Sequence, residues 1–123
     1  MLMTRPTVGQ LLLDARAVLN DTVPITGSTR YSDTDLFQAF NAALFEARAK
    51  RPDAFLEMGL RIDIPSFGPG DELQLFPLDQ IFYPLFLNYI VGKSELREDE
   101  FAAEGRAVAM LNKFVTGLLQ VVS

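Results

Sequence analysis

The apolar positions of this chain are denser in one stretch than anywhere else. From Ile81 to Val91 only Asn88 carries a strongly polar side chain. A surface helix needs one apolar stripe, and this segment is apolar around most of its circumference, so it is expected at the centre of a helical domain. Pro84 is costly inside a helix but favoured in its first turn. The spacing therefore predicts a short turn at 78–82 and a helix over about 84–96. At 100° per residue, Asn88, Gly92 and Glu95 share its small or polar edge.

The flanking patterns supply the cover. Val8, Leu11, Leu12, Ala15, Val18 and Leu19 recur at helical spacing, with Thr7 and Gln10 at capping-box distance, which predicts a first helix over about 7–19. Val23 to Arg30 reads as a loop, broken by Pro24, Gly27 and Ser28. A second helix over about 32–50 starts at Ser32 as N-cap. Asp33 and Asp35 lie in its first turn and Arg48, Lys50 and Arg51 at its end, each favoured by the helix dipole. Pro52 is read as its stop. Its apolar face is Leu36, Phe37, Phe40, Ala43, Leu44 and Ala47. Leu56, Met58, Leu60, Ile62 and Ile64 then alternate with Glu57, Gly59, Arg61 and Asp63, the period of a half-buried strand. With turn residues Pro65, Gly68, Pro69 and Gly70 and a return run Leu73–Phe76, the segment 56–76 is expected to be a β-hairpin with its tip near Phe67. The final helix, about 99–121, carries the arc Phe101, Ala103, Ala107, Met110, Leu111, Phe114, Leu118 and Val121. The expected fold is mainly α: one domain over 1–123, a bundle of about four helices with a β-hairpin inserted between the second and third.

Composition narrows the chemistry. At 123 residues, 49% hydrophobic and 22% charged, the chain has enough material for one core. Sixteen acids against eleven bases give a net charge of −5, which disfavours tight nucleic-acid binding and anionic membranes. There is no Cys and no His, which removes disulfides, thiolate nucleophiles and the commonest general base and metal ligand. The run 81–91 is about half of the roughly 20 residues a membrane span requires, and the N-terminus lacks a signal-peptide pattern; synthesis and assembly in the cytosol are expected. Glu98, Asp99, Glu100 and Glu104 read as a solvated helix start rather than a cation site. Asp71 and Glu72 lack the spacing of a calcium loop, and Gly68-Pro69-Gly70 lacks the Lys and helix of a phosphate loop. No catalytic residue, cofactor or metal is therefore expected, and an enzyme is disfavoured. Phe37, Phe40 and Phe45 have core spacing. Phe67, Phe76, Phe82 and Tyr83 lie in or beside loops, where large apolar groups more often meet a partner. With Asn88, Gly92 and Glu95 they form the expected interface set.

An ordered set of short motifs adds a family reading. Arg30-Tyr31-Ser32-Asp33 opens a helix and is followed by Leu36, Phe40-Asn41 and Arg51-Pro52-Asp53-Ala54. An extended segment then ends in Leu75-Phe76-Pro77-Leu78, and two closing helices follow, the second alanine-rich with Phe114 near its end. The set spans nearly the whole chain and resembles the head–tail connector (adaptor) proteins of tailed bacteriophages. Where many such proteins carry an alanine-rich helix, this chain has Tyr89-Ile90-Val91-Gly92-Lys93. The resemblance implies a helical domain with a hairpin insertion and a homo-oligomeric ring, usually of twelve copies, in the neck of the virion. It implies docking on the portal protein, contact with a tail-side or stopper (nozzle) protein, and a channel that DNA passes without sequence-specific binding. The competing expectation is a small cytosolic helical dimer acting as a regulatory or antitoxin-like binding module.

Overall fold

A computed structural model describes residues 5–19, 31–57, 64–98 and 104–121. Among the described residues five helices follow in order: α1 (Val8–Leu19), α2 (Asp33–Lys50), α3 (Pro52–Glu57), α4 (Tyr83–Glu98) and α5 (Glu104–Gln120), with a 3-10 turn at Gln80–Phe82 leading into α4.

The helix starts follow from local chemistry. Ser32 and Asp35 form a reciprocal capping box on α2: the Asp35 N–H donates to Ser32 Oγ, and the Ser32 N–H donates to the Asp35 carboxylate. Thr7 Oγ1 accepts from the Gln10 N–H at 3.1 Å, while the Gln10 side chain reaches forward to Asp14 at 2.9 Å instead of back to the cap. Asp79 caps the 3-10 turn through the Ile81 N–H. That turn lets Pro84 fall in the first turn of α4, where its missing N–H costs nothing.

The apolar segment becomes the central helix. α4 packs on α1, α2 and α5, and Phe86, Tyr89, Ile90, Val91, Gly92 and Ser94 are all buried. Burial on three sides explains why α4 has no single apolar stripe. Phe86 is the hub of an aromatic cluster, edge-on to Phe40 of α2 at 5.9 Å, Phe76 at 5.2 Å and Phe114 of α5 at 5.7 Å. Such pairs add about 0.5–1.5 kcal/mol each beyond the area they bury.

The expected β-hairpin is not formed: among the described residues there is no β-strand. Leu56, read as the start of the first strand, belongs to α3. Pro52, read as a stop, ends α2 and also opens α3 at the position where proline is favoured, with Asp53 beside it in the first turn. Phe55 and Ala54 are buried, and that anchorage outweighs the alternating pattern that begins at Leu56. Met58 to Asp63, the middle of the expected strand, lie outside the described residues, as do the expected loop at Val23–Arg30 and the start of the last helix at 99–103.

The return run has another use. Residues 64–79 form an irregular arm whose backbone closes the start of α1. The Val8 N–H donates to the Gln74 carbonyl at 2.8 Å and the Gly9 N–H to the Glu72 carbonyl at 2.9 Å. These are two of the donors that the first turn of any helix leaves unsatisfied. The Phe76 N–H donates to Pro6 O, and Thr7 and Leu75 form an isolated antiparallel bridge. Gly9 permits the approach, since a Cβ there would stand 2.8 Å from the Glu72 carbonyl oxygen. Arg5 adds hydrogen bonds to the carbonyls of Phe76 and Leu78. The polar backbone of 72–76 is thus spent on α1 rather than on a neighbouring strand.

Two arginines tie the helices together. Arg16 on α1, almost fully buried, donates to the Tyr31 carbonyl at 2.8 Å and to Asp33 at 2.7 Å, fixing the start of α2 against α1. Arg51, at the end of α2, forms a two-pronged pair with Asp53 and also donates to the carbonyls of Leu118 and Val121. It clasps the last turn of α5 to the α2–α3 corner, and its guanidinium lies 5.9 Å from the Phe82 ring centre. Arg51 also holds the Asp53 carboxyl below its ordinary range, chiefly by hydrogen bonding.

Candidate assembly surface

The residues expected at an interface are distributed unevenly. Phe76 and Phe82 are inside the subunit, because the arm and the 3-10 turn carry their rings into the core. Phe67 is half-buried and stacks on Phe40 with ring centres 5.3 Å apart. Asn41 holds the backbone of Phe67 at two points, donating to its carbonyl at 2.8 Å and accepting from its N–H at 2.9 Å. The expected hairpin tip is therefore a segment fastened to α2. Asn88 is half-buried. The side chain of Glu95, like those of Glu98, Asp99, Glu100 and Glu104, lies outside the described residues.

Gly92 is buried where α4 crosses α5. A Cβ at this position would stand 3.0 Å from the Ala107 carbonyl oxygen and 3.2 Å from Leu111 Cγ. Alanine gains about 1 kcal/mol in helix propensity, but pushing against backbone in a packed crossing costs about 1–3 kcal/mol. Gly92→Ala is therefore expected to lower stability by about 1 kcal/mol in urea titrations. A rise in the midpoint would show that α5 is free to move away.

Tyr83 and Tyr89 each turn a hydroxyl toward an acid. Tyr83 donates to Asp14 of α1 at 2.5 Å, and Tyr89 lies 3.5 Å from Glu46 of α2. Burial, and then the neighbouring carboxylate, raise both phenols; Tyr89 is pushed up to about 12, and Tyr83 also rises from its usual value. The unfolded chain loses these protons near pH 10 while the folded chain keeps them, so the folded state binds more protons over that window and stability falls as pH rises. Urea midpoints are expected to be insensitive to these two groups below pH 9 and to drop between about pH 10 and 12. Tyr83→Phe is expected to flatten that drop; an unchanged slope would remove Tyr83 from the account.

Large apolar groups stand on the surface, among them Phe45, expected in the core from its spacing, and Leu73, expected in the return strand. Phe45 is 67% exposed, Leu13 62% and Leu73 90%. Phe45 had core spacing only in company with Phe37 and Phe40. It lies five residues, about 140°, beyond Phe40, which is off the buried face of α2. Between α1, the start of α2 and the arm lies an open cleft of about 370 Å³, lined by Leu12, Leu13, Phe37 and Leu73 among others. Arg16, Asp33 and Glu72 also reach it. The Asp33 side chain is 64% exposed although paired with the buried Arg16.

Among the described residues no three acidic side chains converge as a metal cage. No described helix is long and apolar enough to cross a membrane. What the surface offers is apolar contact: an aromatic knob on α2 and an apolar cleft beside α1. The chain matches no protein-family model, no curated protein and no solved structure.

Proposed function

We propose that the chain is a structural subunit of a bacteriophage head–tail connector: a ring that docks on the portal and extends the DNA channel toward the tail. The observation that carries this reading is the ordered motif set, whose described members occupy the joints of the fold. Ser32 and Asp33 build the start of α2, Arg51-Pro52-Asp53-Ala54 forms the corner that clasps α5, and Phe76-Pro77-Leu78 leads from the arm into the central helix. The hairpin insertion that the resemblance implies is absent from the described residues, so the likeness stands on the helical motifs.

Two physical features support the reading. Large apolar side chains stand exposed on α1, α2 and the arm, as a subunit requires if it completes its burial against neighbours. A net charge of −5 suits a channel that phosphates traverse without sticking. The test is co-migration with the portal protein of the same genome: a stable complex near one copy per portal subunit is expected. Absence of a complex at micromolar concentration, together with a fixed mass near twice 13.7 kDa, would favour the regulatory dimer instead. Portal and capsid genes adjoining its own are also expected.

A further inference from the structure

We propose that Phe45 of one copy inserts into the cleft between α1 and the arm of the next, making the head-to-tail contact of the assembly. Its head-to-tail sense rests on the ring reading above.

The first observation is that Phe45 stands apart from the other described phenylalanines. Phe37, Phe40, Phe55, Phe76, Phe82, Phe86 and Phe114 are buried and Phe67 is half-buried, whereas Phe45 keeps two-thirds of its surface in water. Its neighbours one turn to either side are Asn41 and Ala42 before it and Arg48 and Ala49 after it; Asn41 is turned to the Phe67 backbone and Arg48 to the Phe55 ring, and the two alanines are short. The ring therefore projects from a low surface, which is the shape of an anchor rather than of a shielded core residue. Burying a phenylalanine side chain is among the larger gains available to an interface.

The second observation is the cleft. Its volume of about 370 Å³ lies within the range of sites that take small ligands, ample for one aromatic ring. Leu12 and Phe37 form apolar floor, and Leu13 and Leu73 stand exposed at its sides. Phe45 cannot fill its own cleft. It lies eight residues past Phe37, which is about 12 Å along α2 and about 80° around it. Knob and hole are separate surfaces of one copy, so a copy that seats its knob in a neighbour keeps its own cleft for a further copy, the head-to-tail arrangement that the ring reading requires.

The third observation is charge. The helix turn that follows Phe45 carries Arg48 and the exposed Lys50, while the cleft is edged by Asp33 and Glu72. Among the described lining residues the one cation, Arg16, is buried and turned onto Tyr31 and Asp33. With Asp33 paired to Arg16, Glu72 supplies the net negative charge of the rim; the exposed Lys50 meets an opposite sign there and a like sign in a knob-to-knob contact, which favours this pairing.

The chain has no cysteine, so introduced thiols report the contact cleanly. Ala49 lies beside Phe45 and Gln74 beside Leu73, and both are exposed. Full-length protein carrying A49C and Q74C, treated with a short bis-maleimide, is expected to give a ladder of covalent multimers extending beyond the dimer. Chains with either cysteine alone are expected to remain uncross-linked. Adding Phe45→Ser or Leu73→Asp should cut the cross-linked fraction about tenfold or more, equivalent to roughly 1.4 kcal/mol of contact energy, with the thermal midpoint unchanged. A ladder equally strong in the Phe45→Ser background, or no ladder either alone or with portal protein added, would overturn the proposal. Product that stops at the dimer would overturn its head-to-tail sense. Failure of the two readings is separable: portal co-migration without a ladder leaves the connector role and removes this contact. A Phe45-dependent ladder without portal binding leaves the contact and removes the connector role.

Discussion

Phe86→Ala is expected to cost about 4 kcal/mol, the middle of the range for truncating a buried phenylalanine. At this chain length that corresponds to a fall in Tm of roughly 15 °C. The reason is position. Phe86 is fully buried on the central helix and meets Phe40, Phe76 and Phe114 edge-on. Those three rings come from α2, the arm and α5, and each is itself fully buried. Removing the ring opens a cavity at a junction whose walls are held by separate elements, so the site has little means of collapsing. Phe86→Leu keeps most of the volume and is expected to lose less than half as much. A double-mutant cycle with Phe114→Leu should show a coupling of about 0.5–1.5 kcal/mol. A cost below 1 kcal/mol for Phe86→Ala, read from urea unfolding, would place the centre of the core elsewhere.

Arg51→Ala is the other large effect, expected at about 3 kcal/mol. Hydrogen bonds that involve a charged group contribute about 1.5–3 kcal/mol each when their partners are left without replacement. Arg51 serves the Leu118 and Val121 carbonyls as well as Asp53, so its removal leaves carbonyls at the end of α5 without a side-chain donor. It also frees α5 from the α2–α3 corner. Arg51→Lys retains the charge but not the planar fork that reaches carbonyls and carboxylate together, and it is expected to recover less than half of the loss. Hydrogen exchange localises the effect: amides in the last turn of α5 should lose protection more than those of α1. Uniform loss across both helices would make Arg51 a global rather than a local clasp. Asp53 adds a pH term of definite sign. Its carboxyl is held below its ordinary range by Arg51, so its contribution is present above that range and is lost as pH falls through the lowered value.

The contrast between these positions and Phe45 separates folding from assembly. Phe86 and Phe45 are the same residue type on adjacent helices. Truncating the first is expected to unfold the protein more easily, whereas truncating the second is expected to leave folding intact and remove contacts between copies. Sequence alone distinguishes them only partly. Asn88 is the sole strongly polar group in the run containing Phe86, which marks that segment as central. The angle of Phe45 on α2 was readable, but its spacing from Phe37 and Phe40 drew it toward the core.

Local signals read from the residues were dependable where chemistry within one turn decides the outcome. Ser32 and Asp35 begin α2, Pro84 falls in the first turn of α4, and α1 and α2 run close to their expected lengths. The apolarity of 81–91, interrupted only by Asn88, placed α4 at the centre, because a helix apolar on most sides is stable only when covered on most sides.

The course of 52–79 depended on partners distant in the chain. Alternation beginning at Leu56 and a return run at Leu73–Phe76 satisfy the local rule for a hairpin. Strand propensity, however, reports fit to a half-buried surface, not an intrinsic backbone preference. Phe55 was drawn into the core, and the arm's carbonyls were taken up by the unsatisfied N–H groups at the start of α1, more than sixty residues earlier. The same long-range packing put Phe76 and Phe82 inside and left Phe45 and Leu73 outside. By itself the sequence determined α1, α2, α4 and α5 as helices, though not α3, and which of them lies at the centre, since caps, proline positions and apolar periodicity act within a few residues. Only the tertiary structure decided which aromatic side chains remain for a partner, since that depends on which buried surfaces the other elements have already filled.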